Sequence, residues 1–216
     1  MWKPYFDLAT DYVAINGRIR REEDPCLWQA MRSQRDVRIL RQDAWEMLIT
    51  SIITQNRNIP AIRRSVEALC RLAGEARSDR RGLAYHTFPT PAQLAAMSAE
   101  ALAECRLGYR ERYVRLAAEE AASGRLNVAE LASLPDEAAR QRLLRLCGVG
   151  EKVAACILLF GLHRLNAFPR DVWINRALEA YYPQGFPFDR YAPYCGVYQQ
   201  YLFAWIRSAG GGKTAY

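Results

Sequence analysis

Asp43 stands just ahead of Trp45, Leu48, Ile49, Ile52 and Ile53, which is the i, i+3, i+4, i+7, i+8 stripe of an amphipathic helix with a good N-cap. That helix is expected at the centre of the core. It stops at "TQNRNIP", where Pro60 suits the first position of a second helix carrying Ile62, Val66, Leu69 and Cys70 on one side. Polar side chains therefore gather at the junction. Thr90, Pro91 and Gln93 match the T-x-x-Q capping box of a short helix, and Ser98 can cap the next. "LGYRERYV" from Leu107 leads into a helix that Gly124 can end. Pro135 opens a helix through Leu143, Leu144 and Leu146, "CGVG" interrupts it, and "EKVAACILLFGL" resumes the helical period. Two helices joined by so short a glycine turn make a helix-hairpin-helix, placed at about 139–160. Further helices are expected over 171–182 and from about 193 to 208, the latter lined by Tyr198, Leu202, Phe203 and Ile206. β signal is nearly absent and no repeat recurs at a fixed period. The expected fold is all-α over residues 1–208, with "GGGKTAY" in 209–216 read as a flexible tail.

Composition narrows the classes. With 216 residues and 50% apolar content, the chain can bury a core and is the size of one large domain or two small lobes. Its net charge of +7, carried mostly by arginine, favours a polyanionic partner. The 6 cysteines, Cys26, Cys70, Cys105, Cys147, Cys156 and Cys195, contain no C-x-x-C pair. They read as reduced core residues of a cytoplasmic protein (beside the nucleoid if prokaryotic), not as disulfides or metal ligands. The opening "MWKPYFDLATDYVAINGRIR" has no continuous apolar run, and no stretch reaches the roughly 18 apolar residues of a membrane helix. Neither a signal peptide nor a membrane span is expected, and no metal or cofactor is called for.

The chemistry concentrates in Leu146–Leu178. Gly148 and Gly150 flank Val149, let the backbone turn sharply, and leave amides bare at the start of the helix beginning near Glu151. Such a place suits a phosphate, although any short helix-to-helix turn favours glycine. Lys152 in the first turn faces the positive end of the helix dipole, where its amine is easier to hold neutral, as a nucleophile requires. The plain alternative is a solvated lysine paired with Glu151 or with a phosphate. Asp171 can be a simple N-cap for "VWINRAL". A cap and a catalytic carboxylate are compatible, because an acid held by backbone amides stays ionised and aimed.

The set Gly148-Val149-Gly150-x-Lys152 followed by "FPRDVW" resembles the helix-hairpin-helix DNA glycosylase superfamily, in its 8-oxoguanine DNA glycosylase branch. "LITSIITQNRNI", "LGYRERYV" and "GVYQQYLF" extend the likeness from about Tyr5 to Arg207. The iron-sulfur relatives carry four closely spaced C-terminal cysteines, and here only Cys195 stands near the end. The resemblance implies two helical lobes with double-stranded DNA in a cleft between them, and a monomer without cofactor. It implies Lys152 as the nucleophile on the sugar C1′, forming a Schiff base that permits β-elimination, and Asp171 as the acid stabilising the cationic sugar. Cys156 and Phe203 match the surfaces that sandwich the flipped base, and Gln199 the side chain on its Watson-Crick edge. Without the family, Cys156 and Phe203 read equally well as core positions. Asn56 matches the residue filling the vacated space, Tyr109 the wedge between bases, and Arg110 a reader of the orphaned cytosine.

The sequence departs from that pattern in several places. The family's second cytosine-reading arginine falls at Ala61, with Arg57 and Arg63 nearby, and Trp173 stands where a histidine often follows "DV". The resemblance also implies an N-terminal sheet domain whose glycine carbonyl reads the N7 hydrogen of 8-oxoguanine. The chain starts about where that domain should end, and reduced preference for 8-oxoguanine is the expectation. Two other functions stay open: a glycosylase for another damaged purine, and a DNA-binding hairpin module without chemistry.

Overall fold

The computed structural model describes residues 2–208, so the tail expected at 209–216 lies outside the described residues. The chain divides into two compact units, one of Met1–Gln42 with Leu158–Tyr216 and one of Asp43–Ile157. The first unit opens with α1 (Trp2–Tyr5), α2 (Tyr12–Asn16) and α3 (Pro25–Gln34), a region the hydrophobic pattern left unassigned. Asp11 caps α2 through the Ala14 amide, and Asp24 caps α3 through the Leu27 amide.

The second unit begins at α4 (Ala44–Ile53), whose Leu48, Ile49, Ile52 and Ile53 are buried and whose Asp43 cap accepts from the Glu46 amide. The expected stripe and cap are both present. α5 (Ile59–Ala73) starts one residue before Pro60, because Asn58 supplies the cap by accepting from the Ala61 amide at 2.9 Å. Pro60 thus sits second in the helix, where its missing N–H still costs nothing. Then come β1 (Ala76–Ser78) and β2 (Ala84–His86), an antiparallel hairpin pairing Ala76 with His86 and Ser78 with Ala84. No residue of either strand is buried, so no alternation marked them in the sequence. The helical expectation otherwise holds. α6 (Pro91–Ala95) carries the capping box of Thr90 and Gln93, α7 (Ala99–Glu104) the Ser98 cap, and α8 (Arg110–Ala122) ends before Gly124. α9 (Val128–Ser133), α10 (Asp136–Leu144) and α11 (Glu151–Cys156) complete the unit. A π-helical turn at Ile157–Gly161 follows α11, where the sequence had suggested plain α-helix.

Returning to the first unit, α12 (Val172–Tyr181), α13 (Phe188–Tyr191) and α14 (Cys195–Arg207) pack with α3 around one core. α14 is its axis, with Val197, Tyr198, Tyr201 and Leu202 buried. Two buried acids fasten the N-terminal segment to this core. The Asp24 carboxylate accepts from the hydroxyls of Tyr182 at 3.0 Å and Tyr191 at 2.9 Å, besides capping α3. The Asp7 carboxylate accepts from Thr10, Tyr12 and Arg41, and lies 3.1 Å from Nε2 of His163. Burying a carboxylate is costly unless its lone pairs are filled, and here they are.

Burial raises the Asp7 carboxyl, but the hydrogen bonds from Thr10, Arg41 and Tyr12 and the His163 charge outweigh it, and the net shift is downward. His163 is lowered chiefly by burial, against the pull of Asp7. Both shifts have one sign in their effect. The unfolded chain binds the proton first, so stability is full above the unfolded value and falls as pH drops through the folded one. We expect a decline starting below the histidine reference of 6.5 and a further decline below the aspartate reference of 3.8. Urea unfolding at stepped pH checks this, and His163→Gln, which keeps an N–H donor, should remove the first decline and leave the second.

Three thiols that form no disulfide are held in the protonated form by their surroundings. Burial pushes Cys26 up to about 12, and Cys105 and Cys195 each to about 11. The reading of the cysteines as core residues holds fully for Cys105 and Cys195, while Cys26, Cys70 and Cys156 are half-buried and Cys147, in the hairpin turn, is exposed. Among the described residues no group of three or more His, Cys, Asp or Glu side chains is placed to hold a metal ion. Among them too, no helix is long and apolar enough to cross a membrane.

Candidate active site

The hairpin glycines turn out to do different jobs. Gly148 has φ +81°, and a Cβ there would lie 2.3 Å from ring carbons of Tyr113. Gly150 has extended backbone, φ −95°, and nothing stands within 4 Å of the place its Cβ would occupy. Only Gly148 is demanded by the turn itself. Gly150 is the N-cap of α11 and makes no side-chain cap bond, so the first amides of α11 are left without one. Val149 between them is buried, and its amide donates to the Leu146 carbonyl at 3.1 Å. We expect Gly148→Ala to cost about 2 kcal/mol or more, from the left-handed backbone and the displaced ring together. Gly150→Ala should cost under about 0.5 kcal/mol yet weaken DNA binding, which thermal unfolding and binding isotherms on the two variants would separate.

Lys152 lies in the first turn of α11, half-buried. Its neighbour Glu151 does not pair with it: both Glu151 oxygens accept from Arg140 Nη1 at 2.7 Å. Within its unit no carboxylate among the described residues pairs with Lys152. Cys156, also half-buried, closes α11.

The expected wedge belongs to the same unit and is tied to the hairpin by hydrogen bonds the sequence did not suggest. Gln55 Nε2 donates to the Gly148 carbonyl at 3.0 Å, and the Gln55 carbonyl in turn accepts from Arg110. Asn56 sits in left-handed backbone, φ +48°, and its Nδ2 donates to the Tyr109 hydroxyl at 3.3 Å. Tyr109 is exposed and packs edge-on against Tyr113, the ring that fills the space at Gly148. Asn56, Tyr109 and the hairpin are thus one connected cluster.

Arg110 is engaged within its own unit. It is 6% exposed, and its guanidinium donates to the carbonyls of Gln55, Leu107 and Asn56 while lying 4.2 Å from the Tyr109 ring centroid. A side chain so placed braces the 55–57 loop against α8. The sequence could not show this, because the acceptors are backbone carbonyls that every residue carries.

Asp171 falls in the first unit. Its Oδ1 accepts from the Ile174 amide at 2.8 Å, so it is the N-cap of α12 that its position suggested. Among the described residues of that unit its second oxygen takes no hydrogen bond, so the cap uses half of the carboxylate. Gln199 is 2% exposed, and both ends of its amide are engaged: Nε2 donates to the Pro169 carbonyl and Oε1 accepts from Gln200. Each end keeps one further position, an N–H on Nε2 and a lone pair on Oε1, so these bonds orient the amide. Phe203 is half-buried against the core, and the Arg207 guanidinium lies 5.4 Å from its ring centroid. Trp173 carries Arg176 at 5.3 Å and Arg207 at 5.9 Å. These two arginines were missed, though their helical spacings, 173 to 176 and 203 to 207, are the signal that could have found them.

Comparison with known proteins places this geometry. The 8-oxoguanine glycosylase/lyase of Clostridium acetobutylicum, solved in complex with double-stranded DNA containing cytosine opposite 8-oxoguanine, superposes with a TM-score of 0.87. The match is 32% identical and covers 96% of this chain and 73% of that one. The fold is that of the helix-hairpin-helix DNA glycosylases. The probable N-glycosylase/DNA lyase of Methanothermobacter thermautotrophicus is 32% identical over 95% of this chain and 72% of its own length. The N-glycosylase/DNA lyase of Saccharomyces cerevisiae is 35% identical over 71% of this chain, though over only 44% of the yeast protein. The model of the family described as "8-oxoguanine DNA glycosylase, N-terminal domain" matches residues 1–48, which are helical here through α1 to α3 and into α4. This chain belongs to the N-glycosylase/DNA lyase family.

Proposed function

We propose that the protein is a base-excision enzyme acting as a monomer on duplex DNA, removing 8-oxoguanine opposite cytosine and then cutting the strand at the abasic site. Lys152 is the nucleophile. Its Nζ lone pair bonds to C1′ as the N-glycosidic bond breaks, and the electron pair of that bond leaves with the base. Opening of the sugar ring gives a protonated Schiff base, which acidifies the C2′ hydrogen. Loss of that proton drives expulsion of the 3′ phosphate, the β-elimination of a lyase. The negative charge of Asp171 stabilises the cationic sugar as the base departs, with its free oxygen the available one. The extruded base needs surfaces to stack on and a polar edge to meet, the roles proposed for Cys156, Phe203 and Gln199 in turn, and a filler for the gap, for which Asn56 and Tyr109 serve.

The observation that carries the reading is a hairpin whose Gly148 is fixed by Tyr113 and Gln55 and whose helix starts with an uncapped turn bearing Lys152. A module that only held phosphates would have no use for that lysine together with Asp171. The test is a panel of duplexes, each with one lesion opposite each of the four bases, incubated with protein and then borohydride. Fastest release and trapping on 8-oxoguanine opposite cytosine supports the reading, and equal or faster release of another altered purine assigns a different substrate.

A further inference from the structure

In the second unit, away from the hairpin residues, α5 and the turn at 104–106 enclose a groove of about 410 Å³. Ala61, Arg64, Ala68 and Arg71 reach it from one face of α5, at the spacing that stacks side chains along a helix. Arg57 from the preceding loop and Arg106 from the turn add two more guanidiniums, and Glu67 and Glu104 are the carboxylates of the lining. Small side chains at 61 and 68 leave the floor open between the longer ones.

Four arginines, Arg57, Arg64, Arg71 and Arg106, stand in this groove against two carboxylates, Glu67 and Glu104. Glu67 also lines it, but its Oε1 is taken at 2.7 Å by Arg63, which does not line the groove. Among the described residues Arg64, Arg71 and Arg106 enter no ion pair. Arg57 is held instead by a neutral partner: its Nη1 donates at 2.8 Å to the hydroxyl of Ser65, which is 1% exposed and itself donates at 2.6 Å to the Cys105 carbonyl. This relay fixes the loop, the helix and the turn to each other and aims a guanidinium from a firm base. Arg57 is lowered by its burial and then by the like charges of Arg110 and Arg64. Cations gathered at a cost, in excess over the carboxylates beside them and engaged in no ion pair, are placed for an anion.

We propose that this groove binds a backbone phosphate of the DNA duplex, so that the enzyme grips the strand through Arg57, Arg64 and Arg71 at a place separate from the hairpin. The groove is continuous in sequence with the wedge, since Arg57 follows Asn56 directly. A planar guanidinium matches phosphate geometry, and each such contact releases a counterion, which shows as a term of about 0.9 in the salt dependence of binding. The proposal rests on the reading of the protein as a duplex-binding glycosylase.

The experiment measures binding of an undamaged duplex across a salt series for wild type, Arg64→Ala/Arg71→Ala and Arg63→Ala. Arg64 and Arg71 are exposed, so folding is not at issue. The double variant should lower the log–log slope by about two and bind about tenfold or more weakly at physiological salt, with Arg63→Ala like wild type. Base release at saturating enzyme should be unchanged in both. An unchanged slope in the double variant overturns the proposal, as does a loss confined to one base opposite the lesion, which would make the groove a base reader. Stronger thermal stabilisation by a deoxynucleoside monophosphate than by duplex, lost in the double variant, overturns it in favour of a free nucleotide. If wild type releases no 8-oxoguanine while the slope still falls, the substrate reading fails and the groove stands.

Discussion

Lys152→Gln leaves no borohydride-stable cross-link to an 8-oxoguanine duplex and cuts no strand, while it still folds and still binds DNA. The amine is the only part of the side chain the lyase reaction uses, because a Schiff base requires a nitrogen lone pair and two removable protons. Glutamine keeps the length and polarity of the side chain, and Glu151 remains paired with Arg140, so the start of α11 loses nothing it depends on. Removing a nucleophile of this kind lowers the rate by several orders of magnitude, on the order of 5 kcal/mol or more of barrier. Single-turnover assays with borohydride trapping read both steps. Trapping undiminished in Lys152→Gln would move the nucleophile elsewhere, and Lys152→Arg, which keeps the charge but not the reactive amine, should match Lys152→Gln.

Asp171→Asn slows base release by about a hundredfold to a thousandfold, roughly 3 to 4 kcal/mol, and changes duplex affinity by less than about threefold. The substitution isolates charge from structure. Asparagine caps a helix as well as aspartate does, so the bond to the Ile174 amide survives and α12 starts where it did. What is lost is the negative charge opposite a cation that exists only as the base departs, and a loss confined to the transition state lowers the rate without weakening ground-state binding. Asp171→Ala removes the cap as well and should add about 1 kcal/mol of destabilisation. Equal losses of affinity and rate in Asp171→Asn would reduce Asp171 to a structural cap.

Local signals were legible along the chain wherever one residue's chemistry answers to its near neighbours. Asp43, Thr90, Ser98 and Asp171 each cap the helix that follows them, because a side-chain oxygen and an amide two or three residues on meet through local geometry alone. The buried stripe of α4 was readable for the same reason, since a 3.6-residue period states which face is apolar. Lys152 in a glycine hairpin and Asp171 at a helix start were likewise visible as type and spacing. The hairpin at 76–86 was not, because strands with no buried residue leave no alternation to read.

Tertiary structure decided what each candidate is free to do. Arg110 has a type and place suited to reading a base, and three backbone carbonyls hold it against the 55–57 loop. Gln199 has an amide suited to a base edge, and Pro169 and Gln200 hold both its ends. Gly148 and Gly150 look alike in "CGVG", yet only one faces a ring brought in from Tyr113 on another helix. The arginine groove needs α5 and the 104–106 turn to come together and needs Glu67 to be diverted to Arg63. Sequence by itself determined which groups are present and which local turns and helices they favour, because those energies depend on residues within a turn of each other. Which of those groups remain unsatisfied, and so available to a ligand, depends on partners tens of residues away, and only the packed chain brings them within hydrogen-bonding reach.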